Sequence, residues 1–155
     1  MLTLPCAVRP LAKLSGACNM EIEVEGSARS KKFVEAILPS MVRQLGLEKS
    51  RKALLIRIKN ECEGNDEGMT VDLSKWTGAY LVILKPNRNL VQLGLTLAHE
   101  MVHVKQLAKG LLKQRRSGHT WLGKMYSKKT PYLDMPWEIE AFSKQELILR
   151  RAFEE

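Results

Sequence analysis

The stretch Leu97-Ala98-His99-Glu100-Met101-Val102-His103 decides how this chain is read. Leu93, Leu95, Leu97, Ala98, Met101 and Val102 crowd the same segment, and residues 90–109 have the length and periodicity of a buried helix. Pro86-Asn87-Arg88-Asn89 stops the preceding element and offers caps, and Gly110 closes the helix. Residues four apart on a helix share a face, so His99 and His103 aim two imidazoles at one point. Glu100 sits one step round. Buried among so many apolar residues, these groups would be costly unless something paired them. A divalent ion would pair them. Neutral imidazole suits Zn2+, and a catalytic zinc needs only three protein ligands, leaving a fourth position for water whose proton a nearby carboxylate can accept. With 3 His and 14 Glu in 155 residues, chance supplies roughly 0.005 occurrences of the pattern His-Glu-x-x-His.

Working outward, residues 20–26 alternate Ile22 and Val24 with Glu21, Glu23 and Glu25, the pattern of a half-exposed strand. Ser27 or Ser30 can cap a helix carrying Phe33, Val34, Ile37, Leu38, Met41 and Leu45, with Pro39 expected to kink it. Residues 53–59, 69–73 and 79–85 read as strands, and the acidic, glycine-bearing residues 61–68 as a loop. Residues 111–134 show little periodicity and read as a long excursion. Asp134 and Pro136 announce a last helix running to about residue 153. The expected class is α+β: one domain over residues 20–155, with a small mixed or antiparallel sheet. Residues 1–19 are expected to form a flexible N-terminal arm.

The helix motif resembles that of the zincin metallopeptidases, over roughly residues 50–150. The resemblance implies hydrolysis of a peptide bond, with Glu100 as general base and a protein or peptide as substrate. It also implies a sheet whose edge strand holds an extended substrate, a part for which residues 79–85 are in place. The third metal ligand has three candidates. Pro136-Trp137-Glu138-Ile139-Glu140-Ala141 is similar to the Glu-x-x-Ala of gluzincins and would supply Glu138. Glu140 competes if the register shifts, or supports a histidine from behind. His119, in Ser117-Gly118-His119-Thr120-Trp121, is similar to the Gly-His of SprT-like proteases, which act on DNA-bound proteins. The Pro-Trp-Glu-x-Glu-Ala block, with Trp121-x-Gly123 before it, also resembles small zincin-like proteins encoded by bacteriophages. In some gluzincins a tyrosine shortly before the ligand glutamate donates to the oxyanion; Tyr132 fits that position better than Tyr126.

Charge and composition bound the alternatives. Twenty-five Lys+Arg against 17 Asp+Glu give +8. Residues 104–130 hold Lys105, Lys109, Lys113, Arg115, Arg116, Lys124, Lys128 and Lys129 with no acid. Such a stretch can steer an acidic substrate or hold nucleic-acid phosphates, with Trp121 or Tyr126 free to stack on a base, or simply be solvated. It is expected to rim the cleft. A non-catalytic basic binding module with a structural zinc is the alternative of another class. Cys6, Cys18 and Cys62 form no Cys-x-x-Cys pair, which favours a reducing, cytoplasmic setting. No apolar run is long enough to cross a membrane, and Pro5, Arg9, Pro10 and Lys13 interrupt any secretory signal. Oligomeric state is open.

Overall fold

A computed structural model describes residues 19–62 and 64–155; the expectation for residues 1–19 falls, but for Asn19, outside them. The chain runs β1 (Ile22–Glu25), α1 (Ala28–Gln44), β2 (Ala53–Ile58), β3 (Gly68–Leu73), β4 (Ala79–Leu84) and α2 (Leu90–Ala108). It continues through β5 (Leu112–Arg115), β6 (Gly118–Trp121), β7 (Lys124–Ser127), a 3-10 turn (Tyr132–Asp134) and α3 (Pro136–Glu154). This is the expected α+β class. The four-stranded sheet has the order β1-β2-β4-β3, with β3 antiparallel to β4 and the other pairings parallel.

Register explains the core. Val24, Ile56, Val82 and Thr70 lie in one row across all four strands, flanked by Ile22-Leu54-Tyr80 and Ile58-Leu84-Gly68. Neighbouring side chains in such a row share a face of the sheet. The row's apolar members are buried and join one core with Leu38 and Met41 of α1, Leu97 and Met101 of α2, and Ile148 and Leu149 of α3. The caps follow the sequence: Ser27 accepts from the Ser30 N–H, and Asn89 accepts from the Val91 and Gln92 N–H groups. Gly110, at φ 71°, closes α2 in the left-handed region. Helix α1 passes through Pro39 and continues to Gln44.

Two expectations need correction. Residues 79–85 are not an edge: β4 lies between β2 and β3, and β3 is the edge strand beside the functional helix. The chain order misleads here because β3 and β4 form a hairpin folded back toward β2. Residues 111–134 are not featureless either, for β5, β6 and β7 form an antiparallel three-stranded meander. Its strands are four residues each, with β5 and β7 mostly exposed and β6 partly buried, too short and too polar to give a periodic apolar signal. Its second turn, Leu122-Gly123, has both residues at positive φ (49° and 84°), the twist a two-residue hairpin turn requires.

Gly118 opens β6 at φ 147°, and a Cβ there would lie 2.1 Å from the Tyr126 carbonyl oxygen on β7. Gly118→Ala should therefore cost about 2 kcal/mol or more and loosen the meander. Thermal unfolding, with hydrogen exchange at β7 amides, checks this.

Candidate metal centre

The local geometry begins with α2. Its buried face carries His99 and His103 one turn apart, with Glu100 beside them, and all three are buried. Helix α3 packs directly on α2. Gly94 lets it approach, since a Cβ there would meet Leu149 Cδ1 at 2.7 Å, and Ala141 is fully buried nearby. This packing delivers Glu138, in the first turn of α3, to the two imidazoles. One ligand atom from each of His99, His103 and Glu138 lies within 4.8 Å of the others. His99 Nε2 is 2.9 Å from Glu138 Oε2, His103 Nε2 is 3.2 Å from Glu138 Oε1, and the two Nε2 atoms are 3.2 Å apart.

Which ring nitrogen is free follows from the outer contacts. Gln106 is fully buried, and its Nε2 donates to the Trp137 carbonyl and to Glu140, both at 3.0 Å. Its Oε1 must then face His103 Nδ1, 2.8 Å away, and can only accept. His103 therefore holds its proton on Nδ1 and turns the Nε2 lone pair inward. Gln145 Oε1 stands 3.0 Å from His99 Nδ1. Two imidazole Nε2 atoms and a carboxylate thus converge in a buried place, a donor set that fits a divalent cation. This buried His-His-Glu group can hold a metal ion.

The two carboxylates differ. Burial raises the Glu100 pKa, more than His103 and the Thr70 hydroxyl lower it. Thr70 Oγ1 donates to Glu100 Oε2 at 2.6 Å, and Gly68 leaves room on the other side, where a Cβ would press on Glu100 at 3.0 Å. Burial also acts to raise Glu138, but its contacts with His103 and His99 and the hydrogen bond from Tyr132 overcome it and hold this carboxyl well below the usual range. The Tyr132 hydroxyl donates to Glu138 Oε2 at 2.7 Å, and burial together with that bond pushes its own pKa up. A cleft of about 220 Å³ opens onto the group, lined by Gly68, Met69, Thr70, Gln114, His119 and Tyr132 among others.

The other candidates are elsewhere engaged. His119 lines the cleft, but its ring lies 4.9 Å from that of Trp137, outside the converging group, and burial lowers its pKa. Glu140 pairs with Lys144 and receives Gln106, so it backs His103 through one intermediary. Trp121 and Tyr126 also pack on Trp137, with ring centroids 6.5 and 5.5 Å away, and both are partly buried. Among the described residues the cleft's immediate lining contains no Lys or Arg, though Lys128 is close enough to act on His119. Strand alternation turns Lys113 and Arg115 to the meander's outer face. Sequence reasoning missed Gln106, Gln145, Thr70 and Gly68. Only Gln106, three residues after His103 on one helix face, carried a positional signal.

Comparisons of the chain with protein-family models, curated proteins and solved structures find no match. No described helix is long and apolar enough to cross a membrane.

Glu138→Ala should empty the site of metal while His119→Ala retains it, as measured by elemental analysis after dialysis. Acidity offers a second check. Burial lowers the His103 pKa, but the Glu138 and Glu100 carboxylates outweigh it and raise the value above the ordinary 6.5. In metal-free protein this stabilises the fold fully below about pH 6.5 and is lost as pH rises through the raised folded value. Metal must displace that proton, so affinity should climb as pH rises through the raised His103 value, read by chelator competition.

Proposed function

We propose that this chain is a zinc-dependent metallopeptidase, a small zincin of the gluzincin type with His99, His103 and Glu138 as ligands. The observation that carries the reading is the pairing of two unlike carboxylates about one buried three-donor group: Glu138 held ionised on the imidazoles, Glu100 raised and facing the same cleft. Two carboxylates pushed apart in this way divide the work, one as ligand and one as proton carrier.

A bound zinc ion supplies Lewis acidity toward a carbonyl and toward water. The rest falls to the chain's own groups. Glu100, buried and oriented by Thr70, takes the proton of the attacking water at its free oxygen and passes it to the departing amine. Its raised pKa suits both halves of that transfer. Glu138 stays ionised throughout. Gln106 keeps His103 in the tautomer whose Nε2 lone pair faces the centre, and Gln145 holds the His99 ring at its Nδ1. Tyr132 stands at the cleft with its hydroxyl on Glu138; to stabilise an oxyanion it must leave that carboxylate for the substrate. The substrate class is a protein or peptide.

Glu100→Gln should retain bound zinc and lower peptide hydrolysis by a factor of about 100 or more. A chelator-controlled digest of unfolded protein, read by mass spectrometry, measures this. Hydrolysis at the wild-type rate in the variant would sink the assignment.

A further inference from the structure

Strand β3 is the open edge of the sheet beside the metal centre, and its hydrogen-bonding parity is fixed. The Lys85 N–H donates to the Glu67 carbonyl, so odd-numbered residues spend their backbone groups on β4. Gly68, Thr70 and Asp72 therefore turn theirs outward. Two of those outward groups are occupied. Gln114, projecting from β5, donates from Nε2 to the Thr70 carbonyl and accepts on Oε1 from the Asp72 N–H, both at 3.3 Å. A primary amide carries the same donor and acceptor as a peptide group. In either orientation, a strand added to this edge would need both the Thr70 carbonyl and the Asp72 N–H.

We infer that Gln114 is a surrogate strand, a specificity-determining latch that fills the backbone-pairing position of the β3 edge and that an extended polypeptide must displace to reach the site. The inference rests on the peptidase reading for the identity of the ligand, but not for the latch. Gln114 is exposed and sits on a short strand, so its release disturbs no core. Both bonds are long, and both are replaced when peptide groups take their place, so displacement is nearly balanced. A ligand without two correctly spaced backbone groups cannot make that exchange. The latch therefore favours extended chains over single amino acids or compact amides. It also covers an edge that would otherwise pair with other chains.

The test uses zinc-loaded, full-length protein carrying Glu100→Gln, with Gln114 unchanged or replaced by Ala or Glu. Fluorescein-labelled, carboxymethylated casein is the polypeptide probe. Q114A should speed exchange of the Asp72 amide at least tenfold and leave Val71, which faces β4, unchanged. It should also bind casein three- to tenfold more tightly. Q114E keeps the acceptor for Asp72 but offers Thr70 no donor, and should fall between. Unaltered Asp72 exchange overturns the latch, as does faster exchange with casein affinity unchanged or weakened. If Asp72 responds but no variant binds casein, the polypeptide ligand falls, and the peptidase reading with it. If Glu100→Gln abolishes hydrolysis as expected and Q114A changes nothing, this inference alone fails.

Discussion

The structure depends on bringing a carboxylate from α3 onto two imidazoles of α2 inside the protein. A buried carboxylate beside two buried imidazoles is tolerable only if every lone pair and proton has a partner. Two glutamines, a tyrosine and a threonine provide those partners. Among the described residues no buried side-chain nitrogen or oxygen lacks one. Helix packing makes this possible. Gly94 and Ala141 permit close approach, and Gln106 ties His103 to the backbone of Trp137, the residue before Glu138. One side chain thus links the His103 tautomer to the first turn of α3.

Much of this was legible in the residues. The His-Glu-x-x-His helix, its caps and its length follow from short-range rules, which hold because each depends on neighbours within a turn or two. The first-turn acid of α3 and the alanine three residues later pointed to Glu138 ahead of His119, and the converging geometry agrees with that order. Strand positions were readable where one face is apolar throughout, as in β2 and β4.

What was not legible depends on distance. Which strand is the edge is a matter of pairing between β4 and β2, and nothing inside β3 records it. The meander's short strands present Lys113 and Arg115 outward, so polar residues dominate their pattern. Trp121 and Tyr126 read as free aromatics because their partner, Trp137, is remote in sequence. Glutamine is chemically quiet in a sequence, and only contact reveals that Gln106 and Gln145 bond the two imidazoles.

Helices α2 and α3 touch each other directly, and the meander departs from the end of one and returns to the start of the other. It is a closed insertion whose two ends are already held together. Changing its length costs little extra chain entropy, because closure grows only slowly with loop size. Such a segment can be exchanged like a cartridge. Descendants of this chain could remodel the approach to the cleft while the donor group beneath stayed as it is.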